Sequence, residues 1–483
     1  MTKSVPNWLK QRAFLTPERP ALHFEGNVWT FSELYEKALR WASALEKQGL
    51  KEGDRVGLLV QNTPNAVYVI HALQQLGVSA VLLNSRLTAN ELLWQLEDTA
   101  AAAVLYDPVY QKAVEELNGH FFRISLASLS SPEGFSCREE FLLDDICSIM
   151  YTSGTTGNPK GVQQTYGNHW WSATGSALNL GLQEKDCWLC TVPLFHISGY
   201  SILMRSVIYG TSVRLYKRFD EKEINKALKR GDGTIISVVS AMLSRLLASL
   251  EGKYHPHFRC MLLGGGPAPK PLLEACAEKQ IPVFQTYGMT ETASQIVTLP
   301  PEYSLTKLGS AGKPLFPCQL KIDAEPHSEG EILVKGPNVT IGYLHREKAN
   351  RTAFTNGWFR TGDIGYVDEE GFLFVLDRRS DLIISGGENV YPAEVEAALL
   401  SHPAVSDAGV VGVADEKWGQ VPAAFVVVNK PVGAAVLRQF CEERLAKYKC
   451  PYYFFQLDEL PRNASKKLLR RELKNEFEKR GGG

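Results

Sequence analysis

The sequence predicts an α/β protein: a large multi-layer N-terminal α/β domain followed by a small α+β domain. Helical and wholly apolar segments alternate through residues 30–83, and a charged break interrupts the chain at 377–381. The 483 residues also exceed what one ordinary core organises, at roughly 100–200 residues per domain.

Residues 30–48, TFSELYEKALRWASALEKQ, place Phe31, Leu34, Tyr35, Ala38, Ala42 and Leu45 on one helical face. Thr30 and Glu33 supply a capping box for its start. RVGLLV (55–60) reads as a strand, 65–76 as a helix and VSAVLL (78–83) as another strand. Strands that are apolar on both faces belong in a sheet covered by helices on both sides. Beyond the break DRRSD, YPAEVEAALLSH opens a helix with Pro392 near its first position. VSDAGVVGV and AAFVVV read as strands, and KKLLRRELKNEFEKR as a terminal helix. The expected division is 1–376, a linker at 377–381, and 382–483.

Basic and acidic residues balance at 52 against 53, and 44% of the chain is hydrophobic. That balance gives no electrostatic reason to bind nucleic acid or an anionic membrane, so the expected partners are small molecules. It leaves a homo-oligomer open. No apolar run is long enough for stable membrane insertion, and the N-terminus has no secretory h-region, so the expected location is cytoplasmic. Nine scattered cysteines read as reduced thiols. Cys187 and Cys190 form a C-x-x-C, but with no second pair it reads as a buried strand.

YTSGTTGNPKG (151–161) is the most informative stretch. Its glycines permit positive φ, its backbone N–H groups can form an anion nest, and Lys160 adds a positive charge. Polyphosphate suits such a loop. Lys160 lies between Pro159 and Gly161, which departs from the Walker pattern and disfavours a P-loop kinase or ATPase. A plain surface turn has the same composition.

This stretch resembles the signature loop of the adenylate-forming superfamily, which comprises acyl- and aryl-CoA ligases, adenylation domains of peptide synthetases and luciferases. PLFHISG (193–199), LGGGPAP (263–269), QTYGMTET (285–292), GWFRTGDIG (357–365), DRRSDLIISGGENVYPAEVE (377–396) and LPRNASKKLLRREL (460–473) resemble further family motifs, in the family's order. The resemblance implies the adenylate-forming fold and a reaction in two halves with ATP, Mg²⁺ and CoA. A carboxylate displaces pyrophosphate from ATP, and a thiol then displaces AMP from the acyl-adenylate.

By that resemblance Thr152, Ser153, Gly154, Thr155, Thr156, Gly157 and Lys160 hold the β- and γ-phosphates, and Glu291 holds Mg²⁺. Thr290 bonds the α-phosphate. Tyr287 and Gly288 flank the adenine, with Gly264, Gly265, Gly266 and Pro267 along the ring edge. Asp363 accepts the ribose hydroxyls, supported by Arg378. Lys467 matches the adenylation lysine; Lys466 stands where the family usually has glycine, which leaves the register ambiguous, and the downstream LLRREL selects Lys467 with Lys466 as the weaker candidate. Rotation of the small domain about the hinge at Ser380, where the family commonly has Asp or Lys, would bring Ser385, Gly386, Gly387 and Glu388 to the CoA tunnel. Lys447 and Lys449 are the candidate cations for CoA's phosphates.

His196 resembles the family's gate between the acid pocket and ATP, and Ser198, Ser237, Gly264 and Thr292 are expected to line that pocket. Small apolar lining suits a flat aromatic acid better than a long chain. The run PLFHISGYSILMRSVIYG resembles the branch of the family that acts on 2-succinylbenzoate in menaquinone synthesis. Arg205 is a candidate for that acid's second carboxylate; a solvent-facing helix residue is the other reading. Three functions fit so far: a CoA ligase of an aromatic acid, an adenylation enzyme loading a carrier protein, and a non-catalytic nucleotide-binding module. Retention of Lys160, Glu291, Asp363 and Lys467 together argues against the third.

Overall fold

Thr30 starts the first long helix as expected: its hydroxyl accepts the Glu33 N–H at 3.2 Å, and the Glu33 carboxylate accepts the Thr30 N–H at 2.8 Å. The helix runs Phe31–Lys47 and buries Phe31, Leu34, Ala38, Trp41, Ala42 and Leu45. Each large apolar side chain so buried contributes about 1.5–3 kcal/mol. The computed structural model describes residues 3–129, 135, 137–152, 159–266, 268–325, 328–378, 381–385, 388–415, 418–445, 447–462 and 468–480.

Arg55–Leu59, Pro64–Leu76 and Ser79–Leu82 follow as strand, helix and strand. The helix has Pro64 at its first position and ends at Gly77, whose φ of 72° is left-handed. These strands belong to the first sheet, in the order Gly342–Tyr343, Lys160–Thr165, Ile146–Thr152, Ser79–Leu82, Arg55–Leu59, Ala103–Tyr106, Phe122–Ser125. Its middle is parallel, while the hairpin of Ile146–Thr152 with Lys160–Thr165 is antiparallel.

The second sheet has a parallel centre running Pro20–Phe24, Ser212–Leu215, Cys187–Cys190, Ile235–Val238, Cys260–Leu263, Val283–Met289. Antiparallel strands extend it through Ser294–Leu299 and Ser310–Pro314 to Trp358–Val367 and Leu373–Arg378. Cys187 and Cys190 lie buried in a strand, and all nine cysteines are free thiols.

The small C-terminal unit has its own sheet of Glu388–Val390, Ile383–Ser385, Gly419–Val428, Val405–Asp415 and Tyr453–Gln456. Pro392 occupies the first position of the helix Pro392–Leu400. Two expected boundaries shift. The strand preceding the linker continues through Asp377 and Arg378, because they pair with Ile364 and Asp363 across the sheet. The terminal helix is Arg470–Lys479, because Leu468 first bridges back to Arg462. Arg470 then ties this unit together: its guanidinium donates to both Glu396 carboxylate oxygens at 2.8 and 2.9 Å and to Asp381 at 3.1 Å.

Candidate active site

The strand Ile146–Thr152 enters the phosphate-loop stretch and the strand Lys160–Thr165 leaves it, with Thr152 and Lys160 paired at its base. Ser153, Gly154, Thr155, Thr156 and Gly157 lie outside the described residues. The base is braced: Tyr151 donates its hydroxyl to Asp98 at 2.7 Å, and Arg346 reaches the other oxygen of Asp98 at 2.8 Å.

Two neighbouring segments converge on that base. The strand Gly342–Tyr343 pairs with Lys160–Thr165, and Leu344 N–H donates to Gly161 O at 2.8 Å. The Lys160 ammonium lies 5.1 Å from the centre of the Tyr343 ring. The short turn Thr290–Thr292 is held by Gln164, whose amide donates to Thr290 O, and by Thr340 N–H, which donates to Glu291 O at 2.7 Å. Glu291 is 9% exposed, and its Oε1 accepts the Tyr343 hydroxyl at 2.9 Å. The candidate phosphate lysine and the candidate metal carboxylate thus meet at one tyrosine that sequence reading did not single out.

Thr292, expected at the acid pocket, is wholly buried, and its hydroxyl is spent on Met289 and Ser294 inside this turn, so its side chain shapes the turn. The turn throws Ala293 and Ser294 to φ of 52° and 102°. Ser172, which donates to Ala293 O at 2.6 Å, helps hold that unfavourable backbone. Gly288 is needed for packing, since a Cβ there would stand 2.1 Å from Ser294 O.

On the nucleoside side, Tyr287 donates its hydroxyl to Asp363 Oδ2 at 2.8 Å, and Asp363 is 8% exposed. The candidate adenine and ribose residues are therefore in contact. Register places Arg378 opposite Asp363. Gly264, Gly265 and Gly266 follow the parallel strand Cys260–Leu263, and Gly265 has φ of 85°. Pro267 lies outside the described residues. The carboxyl ends of parallel strands, where Gly264 follows, are where open α/β sheets bind ligands. If Asp363 takes the ribose hydroxyls, Asp363→Asn raises the KM for ATP about tenfold or more; an unchanged KM removes Asp363 from the ribose.

His196 caps the helix Ile197–Tyr209 from outside its first turn, with Ser198 inside that turn. Burial, helped by Arg86, lowers its pKa to about 4, so the imidazole is neutral at physiological pH. Its Nε2 is buried without a hydrogen-bond partner among the described residues. A neutral ring with an unspent nitrogen suits positioning an acid, and the carboxylate needs no base. Ser237 Oγ accepts Trp188 Nε1–H at 3.1 Å, which places the expected pocket strand against that indole.

Arg205, on the same helix as Ser198, does not face solvent. It is 2% exposed, lies over the Trp188 ring at 5.3 Å, and its Nε and Nη2 have no hydrogen-bond partner among the described residues. Burial lowers its pKa, yet a guanidinium stays protonated in proteins. Buried charges are normally paired, and two of the three nitrogens of this guanidinium are left unpartnered among the described residues. Its periodicity is that of any apolar helix position, which is why sequence reading left it open.

In the small domain Ser385 is buried in its strand, while Gly386, Gly387, Ser380, Lys466 and Lys467 lie outside the described residues. Glu388 begins the strand that pairs with Ile383–Ser385. Lys449 is a partial correction: its ammonium is held by both oxygens of Glu394 at 2.8 Å, so in this arrangement it already has its counter-ion. Lys447 is exposed.

A candidate phosphate lysine and a candidate metal carboxylate that meet at Tyr343, with Tyr287 bonded to Asp363, fit a nucleotide-activating enzyme. Residues 9–344 match the AMP-binding enzyme family and residues 394–467 match the AMP-binding enzyme C-terminal domain, and the chain belongs to that family. Within it, the 2-succinylbenzoate–CoA ligase of Geobacillus kaustophilus (strain HTA426) is 61% identical over 479 residues, 98% of each chain. The o-succinylbenzoate CoA synthetase of Bacillus subtilis, in complex with its acyl-adenylate intermediate OSB-AMP, is 54% identical over 98% of each chain, with a TM-score of 0.94. A double mutant of the same protein, bound to the product analogue OSB-NCoA, gives 0.77 at the same identity and coverage.

Proposed function

We infer that the chain is an AMP-forming acid–thiol ligase that activates 2-succinylbenzoate as its acyl-adenylate and transfers it to CoA, a step of menaquinone synthesis. The observation that carries the choice of acid is Arg205. 2-Succinylbenzoate carries two carboxylates, so activating one leaves a second to be neutralised, and the buried guanidinium, whose Nε and Nη2 are unpartnered among the described residues, supplies the charge for it. Helical side chains lean toward the N-terminus of their helix, which here is the His196 end. Trp188 links Arg205 to Ser237.

In the first half-reaction a carboxylate oxygen attacks the α-phosphorus of ATP, and the bond to pyrophosphate breaks. Thr290 and Lys467 meet the charge that develops, and Lys160 holds the leaving phosphates. Glu291 fits a magnesium site, being a hard, nearly buried carboxylate beside Lys160's aromatic support. Such an ion supplies charge neutralisation on the phosphates when bound. In the second half the CoA sulfur attacks the acyl carbonyl and AMP leaves. Lys467 must withdraw to admit the thiol, and rotation about Ser380 achieves this. The TM-scores of 0.94 and 0.77 against two complexes of one relative support such a rearrangement.

Among the described residues no helix is long and apolar enough to cross a membrane. A cytoplasmic location fits the free thiols and the need for ATP and CoA. The test is release of AMP and pyrophosphate with Mg-ATP, CoA and a panel of acids: 2-succinylbenzoate, benzoate, a cinnamate, an acetate-sized acid and a long-chain acid. Turnover confined to 2-succinylbenzoate is expected. Turnover with another acid keeps the mechanism and discards the acid, and pyrophosphate without thioester points to a carrier-protein thiol.

A further inference from the structure

We propose that Tyr343 is a positioning residue for adenylation, setting the metal-binding carboxylate and the phosphate lysine against one another through a single side chain. The inference rests on the roles given above to Glu291 and Lys160. The terminal torsion of a glutamate is broad, so its carboxylate plane is set by what it bonds. At Glu291 Oε1 that bond is the Tyr343 hydroxyl, at 2.9 Å. The other end of the same side chain carries Lys160, with the ammonium 5.1 Å from the ring centre. The ring attracts that cation without neutralising it, so the charge stays available to a phosphate.

The backbone around Tyr343 fixes it from both sides. Asn350 accepts the Tyr343 N–H at 2.8 Å and donates to Tyr343 O at 2.9 Å. Val162 is its cross-strand partner, Leu344 is bonded to Gly161, and Thr340 is bonded to Glu291 O. The residue is 8% exposed. The strand Gly342–Tyr343 therefore spans the gap between the phosphate hairpin and the Thr290–Thr292 turn, which otherwise come from distant parts of the chain. A bulky apolar residue would suffice to fill space here; a hydroxyl aimed at Glu291 is not needed for that.

The test uses the full-length protein and two readouts: the magnesium dependence of pyrophosphate release, and calorimetric binding of ATP with magnesium or with EDTA. Tyr343→Phe keeps the buried ring and removes the hydroxyl. It is expected to raise the magnesium requirement about tenfold, the size usual for losing a partner of a metal ligand. ATP binding in EDTA should stay at the wild-type value. Tyr343→Leu should in addition weaken ATP binding in EDTA about two- to fivefold, through loss of the lysine's aromatic support. In a Glu291→Gln background, Tyr343→Phe should change the magnesium dependence no further. An unmoved magnesium requirement in Tyr343→Phe, or an equal shift in the Glu291→Gln background, overturns the proposal. If Glu291→Gln alone leaves magnesium dependence intact, the metal reading of Glu291 falls and takes the hydroxyl half with it; Tyr343→Leu still decides the ring half.

Discussion

Arg205→Met is expected to stabilise the ligand-free protein while nearly abolishing use of 2-succinylbenzoate. The two effects have opposite sign because the guanidinium is buried over Trp188 with Nε and Nη2 unpartnered among the described residues. Holding an unpaired charge away from water costs free energy in the empty protein, and methionine of similar volume removes that cost. The gain in unfolding free energy is on the order of 1 kcal/mol, after the lost cation–π contact with Trp188 is deducted. In the complex the same substitution strands the acid's second carboxylate in a site without a cation. Truncating one partner of a buried charge pair costs about 2–5 kcal/mol, or roughly 30-fold to several thousandfold in kcat/KM. An analogue lacking the second carboxylate should lose far less, which separates recognition from general damage. Thermal unfolding without ligand and kcat/KM for both acids check this. A sharp fall in stability with unchanged acid preference would make Arg205 a packing residue.

Lys467→Ala is expected to slow adenylation by about 10²–10³-fold, the usual loss when one preorganised charge on a developing anion is removed. Thioester formation from pre-made acyl-adenylate should stay within about threefold of wild type, because the assigned role ends when pyrophosphate leaves. Pyrophosphate exchange and single-turnover thioesterification measure the halves separately. Lys466→Ala serves as the register control and should leave both largely intact. Equal losses in both halves for Lys467→Ala would remove it from the adenylation role, and a selective loss in Lys466→Ala would transfer the role to its neighbour.

Much of the architecture was legible because it rests on local rules. The capping box at Thr30 and Glu33, proline at the start of Pro392–Leu400, and apolar runs such as 55–60 and 78–83 each announce an element within a few residues of its observed limits. The linker boundary was less legible, because Asp377 and Arg378 are charged residues whose backbone nevertheless continues a cross-strand ladder that composition does not reveal. Lys449 reads from sequence as a candidate cation for CoA's phosphates, and only the fold shows that Glu394, 55 residues earlier in the chain, holds it. Thr292 is expected at the pocket by its position in the family resemblance, and only the fold shows that its hydroxyl closes the turn that presents Glu291.

The order and content of the motifs were enough to set the reaction class, since a hydroxyl- and glycine-rich phosphate loop, a carboxylate for magnesium and a late lysine can be recognised residue by residue along the chain. What they could not convey is which distant residues meet. Tyr343 lies 52 residues from Glu291 in sequence and becomes its hydrogen-bond partner through the pairing of Gly342–Tyr343 with the phosphate hairpin. Arg205 occupies a helix position that reads alike whether it faces solvent or a pocket, and only packing against Trp188 removes its water. Chemical identity is carried by single side chains, whereas desolvation and orientation are properties of contacts, and contacts exist only once the sheets have formed.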